Sequence, residues 1–260
     1  MNQTDLVQLV HVSKRFNDRQ GDVLRDFTLS LSEGEFFCLL GPSGCGKTTV
    51  LNLLAGFEEP TEGEIFLDGQ PVGGPGRDRG VIFQGEDALF GWLTAFENVE
   101  FGLKMQRIGS AERRRRVSGF LNLVDLIGHE SKFPHELSGG MKQRIQIARV
   151  LANEPRIILM DEPFAALDAQ TRKMMQQELV RIWAETHKTV LFITHDIDEA
   201  IILADRIGVM CAGPASTVRQ VLSVDLARPR DRTDASFLGY YRHCDALIEE
   251  EVRQGASRSR

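Results

Sequence analysis

Apolar and polar residues alternate over positions 6–12 (LVQLVHV) and 24–31 (LRDFTLSL), a period of two that predicts half-buried strands. The pattern changes at 36–40 (FFCLL), 157–160 (IILM) and 189–194 (TVLFIT), where apolar runs are unbroken. Such runs suit strands covered on both faces. EIFLDG (64–69) and GVIFQ (80–84) predict further strands, and GVMCAG (208–213) a last one. Val50, Leu51, Leu54 and Phe57 recur at helical spacing, and DIDEAIILADR (196–206) is also helical. Helix formers dominate residues 95–132, so 86–153 is predicted as a helical insertion, with Pro155 marking the return to strands. The chain beyond about residue 222 is polar and is expected to be a short appended segment with a frayed end. Buried strands alternating with helices predict an α/β fold around a parallel sheet.

The turn after FFCLL carries the first candidate chemistry. Residues 41–48 read GPSGCGKT, followed by Thr49, and lie between a strand and a helix. This is the context of the G-x-x-x-x-G-K-[ST] loop, which cradles phosphates with backbone N–H groups at a helix start. Gly41, Gly44 and Gly46 permit backbone shapes that a β-carbon would block. Pro42, Ser43, Cys45 and Thr49 complete the cradle, Lys47 offers a cation to the terminal phosphates, and the Thr48 hydroxyl suits Mg²⁺. Cys45 reads either as a thiol activated by the helix end or as a small residue whose amide matters; the second is preferred. IILM ends in Asp161 and Glu162. Alternation along a strand aims them to opposite sides. Asp161 then suits a metal and Glu162 a general base. LSGGM (137–141) precedes a helical stretch, so Ser138, Gly139 and Gly140 form a second anion-binding helix start, which as residues alone is also an ordinary serine N-cap.

Composition narrows the partners. The 260 residues are 42% apolar and carry a net charge of −6, which argues against a general nucleic-acid surface. The run Arg113–Arg116 points in all directions on a helix and reads as a solvated face. Four cysteines without a C-x-x-C pair suggest reduced thiols in the cytosol. No secretory leader and no apolar run near the ~20 residues of a membrane span are read, so any membrane role needs other chains.

With these motifs in order, the chain resembles the ATP-binding cassette (ABC) family over roughly residues 6–225. Gly41–Thr48 is similar to its Walker A loop, Gln84 to its Q-loop, Leu137–Met141 to its signature, Ile157–Glu162 to Walker B, Ala166–Asp168 to its D-loop and His195 to its switch histidine. Met141 stands where the family usually has Gln, and Gly91 where Pro is usual before Trp92. The resemblance implies a P-loop NTPase fold: a RecA-like parallel core (1–85 and 154–225) with an antiparallel β subdomain, an inserted helical subdomain (86–153) and a C-terminal extension (226–260). It implies ATP and Mg²⁺ as cofactors, with Phe16 stacking on adenine. Gln84 is implied to contact the metal and the attacking water, His195 the γ-phosphate, and Asp168 a dimer seam. It implies a head-to-tail homodimer in which Lys47 faces the partner's signature, a separate integral membrane permease, and a periplasmic or extracellular solute-binding protein reached indirectly. The place would be the cytoplasmic face of the inner membrane. GPGRDRGVIFQ (74–84), LFGWLTAFENVEFGL (89–103) and ARPRDR (227–232) resemble the nitrate, sulfonate and taurine importer subfamily, leaning towards taurine. Phe90 and Trp92 would then anchor a permease segment or else pack within the helical insertion.

Overall fold

The computed structural model describes residues 5–16, 21–85 and 88–258, with side chains to residue 253. Two compact units emerge, Met1–Gly76 with His187–Arg260, and Arg77–Thr186.

The first unit holds two sheets. β1 (Asp5–Lys14), β2 (Leu24–Ser32), β4 (Glu62–Leu67) and β5 (Gln70–Pro71) form an antiparallel sheet in the order β2-β1-β4-β5. β2 keeps the predicted period of two from Phe27 through Leu29 to Leu31, whereas β1 breaks it at irregularities between Asp5 and Val7 and between Leu9 and Val12, so that Leu6 and Val7 are buried in succession and Val10 is exposed. In the second sheet, β3 (Phe36–Leu40) runs parallel to β8 (Thr189–Thr194) and to β9 (Arg206–Met210). All five residues of β3 and all six of β8 are buried, as unbroken apolar runs require. Helix α1 (Lys47–Ala55) follows β3, and α6 (Ile197–Leu203) follows β8.

Two elements here depart from the sequence reading. GVMCAG is not the last strand: β9 stops at Met210, and β10 (Val218–Ser223) returns antiparallel beside it. The polar tail contains a 24-residue helix, α7 (Ala235–Arg258). Phe237, Cys244 and Glu251 on one stripe of α7 are buried, so a face narrow in apolar residues still docks. The ARPRDR segment gains a role as well. Arg228 donates to the Leu203 carbonyl, and Arg230 to those of Ile201 and Ala204, so two guanidiniums satisfy the open C-terminal end of α6.

In the second unit, β6 (Arg79–Ile82) pairs in parallel with β7 (Ile157–Asp161). Helices α2 (Ala95–Met105), α3 (Ser110–Leu123) and α4 (Gly139–Ala152) pack on one another through Val99, Leu103, Val117, Leu121, Ile145 and Leu151. A capping box starts α2: Glu97 N–H donates to Thr94 Oγ1 at 3.2 Å, and Thr94 N–H to Glu97 Oε2 at 2.8 Å. The arginine run lies on α3, where Arg113 pairs with Glu100, Arg115 with Glu112, and Arg116 with Glu112 and Glu154. Helix α5 (Ala169–Thr186) closes the unit.

Candidate functional site

In the first unit the phosphate-type loop grows directly from β3. Parallel register pairs Leu40 with Thr194, so Gly41 and His195 leave adjacent strands side by side at the carboxyl edge of the sheet. That edge is where ligands bind in parallel α/β sheets. Gly44 and Gly46 adopt φ of 78° and 95°, in the left-handed region open mainly to glycine. At Gly41 the demand is proximity: a β-carbon there would stand 3.0 Å from Cys45 Sγ and 3.1 Å from Met210 Cβ. Gly46 caps α1, whose first N–H groups point into the loop. Lys47 is buried, and its Nζ donates to the Gly41 carbonyl at 2.8 Å and the Pro42 carbonyl at 3.0 Å. Neutral carbonyls orient the ammonium without cancelling its charge, so the concavity stays positive.

The neighbours of this loop are specified too. Cys45 is buried with Sγ 4.0 Å from Met210 Sδ, and burial pushes its thiol up despite nearby Lys47. An activated nucleophile needs the opposite shift, so Cys45 is a packing residue. Ser43, Gly44 and Thr48 are exposed, with Pro42 and Thr49 half-buried. His195 is exposed at the end of β8. The turn behind it is pinned by Thr194 Oγ1 donating to Glu199 Oε2 at 2.6 Å, and by Glu199 N–H donating to Asp196, the N-cap of α6. Phe16 follows β1 and is 48% exposed, with Lys14 Nζ 4.9 Å from its ring centre. It is no core residue, and its open face is available for stacking.

The second unit gathers the other candidates at two places. Register pairs Ile82 with Met160, so Gln84 and Asp161-Glu162 emerge at the same end of the β6–β7 pair. Glu162 has φ of 42°, an uncommon conformation for a residue with a side chain, costing about 1–3 kcal/mol. Such strain concentrates at functional positions. The other place is a cavity of about 390 Å³ lined by Ser138, Gly140, Met141, Asp168, Thr171 and Met175 among others. Ser138 is the N-cap of α4, its Oγ accepting from Met141 N–H at 3.4 Å, and the amides of Gly139 and Gly140 open the helix. Asp168 likewise begins α5, accepting from the N–H groups of Gln170 and Thr171, both at 3.0 Å, and from the Thr171 hydroxyl at 2.6 Å. The Thr171 hydroxyl, then its amide, holds the Asp168 carboxyl below its ordinary range.

The donor chemistry fits a nucleotide and its metal. A loop turned through left-handed glycines, a cation and a helix start together suit a polyphosphate. Each unit by itself presents hard oxygen donors of the kind Mg²⁺ takes: the Thr48 hydroxyl in the first, and the Asp161 carboxylate and Gln84 amide in the second.

Comparison with known proteins gives this chemistry a family. Residues 24–165 match the family model described as ABC transporter. The nitrate import ATP-binding protein NrtD of Synechococcus elongatus is 48% identical over 225 residues, 85% of this chain and 82% of that protein. The taurine import ATP-binding protein TauB of Pelagibacter ubique is 49% identical over 191 residues, 74% of this chain and 72% of that protein. Among solved structures, a dimeric post-hydrolysis state of an ATP-binding cassette bound to ADP and phosphate superimposes with a TM-score of 0.72. It is 35% identical and covers 85% of this chain and all of that one. The chain therefore belongs to the ABC transporter family, as an ATP-hydrolysing P-loop subunit that resembles those of nitrate and taurine importers.

Proposed function

We propose that this protein energises import of a small sulfonate, taurine or another alkanesulfonate, through a separate permease, with nitrate as the alternative cargo. The register of Leu40 with Thr194, which sets the glycine loop beside His195, carries the catalytic part of this reading. The cargo rests on the two importer relatives, whose named substrates are both small and present a trigonal or tetrahedral oxyanion group, nitrate itself or the sulfonate of taurine.

In this mechanism Gly41–Thr49 wraps the phosphates, Lys47 meets the terminal ones, and Phe16 stacks on the base. When bound, Mg²⁺ would supply the Lewis acid for the phosphoanhydride of ATP, and Thr48, Asp161 and Gln84 are the residues that would hold it. Glu162 takes a proton from the attacking water, and His195 hydrogen-bonds the terminal phosphoryl oxygens as charge builds on them. Ser138, Gly139 and Gly140 close over the nucleotide of a second copy, with Asp168 at the seam between copies. The helical subdomain (86–153) is the arm that transmits closure.

Its permease contact is an aromatic cluster in the second unit. Trp92 is 75% exposed, and Phe90 lies 5.4 Å from Trp92 and 4.7 Å from Phe101 between ring centres, with the Arg149 guanidinium over its face. Asn98, buried, fixes the segment: its Nδ2 donates to the Phe90 and Leu93 carbonyls, and its Oδ1 accepts from Phe90 N–H. An exposed aromatic anchor on a pinned loop is what a protein interface uses. No helix among the described residues is long and apolar enough to cross a membrane. The scheme itself puts the protein at the cytoplasmic face, against the permease.

The test is ATP turnover in proteoliposomes holding the cognate permease. Stimulation by taurine-loaded binding protein supports the sulfonate reading. Stimulation by nitrate-loaded binding protein alone transfers the assignment to nitrate, and no stimulation by any loaded binding protein refutes import.

A further inference from the structure

We propose that Glu251, on the C-terminal helix α7, is a positioning residue for the nucleotide loop. This rests on the reading that Gly41–Thr48 holds nucleotide phosphates. Glu251 is 1% exposed, a burial that a carboxylate tolerates only with dedicated partners. One oxygen, Oε2, accepts from Ala212 N–H at 3.1 Å. The other, Oε1, lies 3.4 Å from Arg219 Nη1 on β10.

Ala212 is the second residue past the end of β9, and the chain from there backs the glycine loop. Met210 packs against Gly41 and Cys45. Gly213 lies so close that a β-carbon on it would stand 3.3 Å from the Gly44 carbonyl oxygen and 3.9 Å from Cys45 Cα. The far end of this backing segment is fixed independently. Ser216 Oγ donates to the Cys211 carbonyl at 2.6 Å, and the Ala215 and Ser216 N–H groups donate to Asp22 and Val23 at 2.7 and 3.0 Å. Cys211 is tied to Ser216 and Thr217, and Glu251 holds the next residue, Ala212, whose neighbour Gly213 touches Gly44, one of the two left-handed glycines that give the cradle its curvature. Removing the acceptor leaves the Ala212 N–H buried without that partner, and the segment must shift to reach water. The shift passes to Gly44 by contact. Binding of the phosphates weakens, while Glu162 and His195, which Glu251 does not touch, keep their chemistry.

The experiment compares wild type with Glu251→Leu, Glu251→Gln and Arg219→Met in the full-length chain. ATP affinity is read with a fluorescent ATP analogue, and kcat and KM by phosphate release. Glu251→Leu is expected to weaken ATP binding by about three- to tenfold with KM rising in parallel and kcat within twofold. Gln keeps an acceptor for Ala212 N–H and should restore affinity. Arg219→Met should lower thermal stability and leave affinity unchanged. If Glu251→Leu fails to fold by circular dichroism, Glu251→Asp, shorter by one methylene, takes its place and should show a smaller affinity loss of the same kind. Wild-type affinity in a folded Leu or Asp variant overturns the proposal, and so does a loss that Gln shares. A wild-type protein that binds no ATP overturns instead the reading of the loop.

Discussion

Replacing Lys47 with Met removes a charge and little else. The lysine stem is buried, and the thioether chain fills nearly the same volume, so packing around α1 is retained. In the folded protein the loss is two charge-assisted hydrogen bonds, to the Gly41 and Pro42 carbonyls. Pro42 is only half-buried, and water can replace part of what is lost, so the cost to stability is about 1–2 kcal/mol. The loss on binding is larger. A unit charge about 4 Å from a phosphate oxygen, at an effective dielectric constant of about 20, contributes about 4 kcal/mol before desolvation. A net loss of about 3 kcal/mol, or about 100-fold in affinity, follows. Titration calorimetry with Mg·ATP, alongside a thermal melt to confirm folding, measures both. ATP affinity within threefold of wild type in a folded Lys47→Met protein would refute the assignment of this loop.

Arg230→Met strips donors from the carbonyls of Ile201, Ala204, Val224 and Leu226, and should cost about 3 kcal/mol, or about 10 °C in the melting temperature. Burial pulls the Arg230 pKa down to about 10, so the wild-type group is charged at neutral pH and an unchanged melt would contradict its capping role. Arg115 and Arg116 pull the Glu112 carboxyl down to about 2 from an ordinary 4.5. The folded value lies below the unfolded one, so Glu112 stabilises fully above pH 4.5 and its contribution fades as pH falls towards 2. Melting curves of wild type and Glu112→Gln should therefore converge over that window, whereas a constant gap would exclude these ion pairs as the cause.

The strands and the glycine loop were legible because their signal is local. FFCLL is β3 residue for residue, and TVLFIT is β8, since a strand buried on both faces has to be apolar throughout. The loop was legible because glycine at Gly44 and Gly46 reports backbone shape directly. What escaped depends on contacts distant in sequence. Arg228 and Arg230 read as part of a polar appended segment, yet the carbonyls of α6 that they bond lie 25 to 29 residues earlier. Helix α7 reads as a polar tail in the sequence, and its buried stripe includes Glu251, a residue that pattern reasoning places outside. A signal was present in the helical recurrence of Phe237, Tyr240, Cys244, Leu247 and Ile248, all of them buried or half-buried. Strand β10, exposed along most of its length, carries almost no apolar pattern. The strained backbone of Glu162 has no signature in composition.

The central claim is that two copies share each nucleotide, the glycine loop of one meeting the signature turn of the other. Light scattering of Glu162→Gln with Mg·ATP tests it most directly, because that variant should bind ATP without consuming it. The account predicts a species of twice the 29.1 kDa chain that reverts to monomer when Ser138→Arg is added. A Glu162→Gln protein that binds ATP and stays monomeric, or a dimer indifferent to Ser138→Arg, would contradict it.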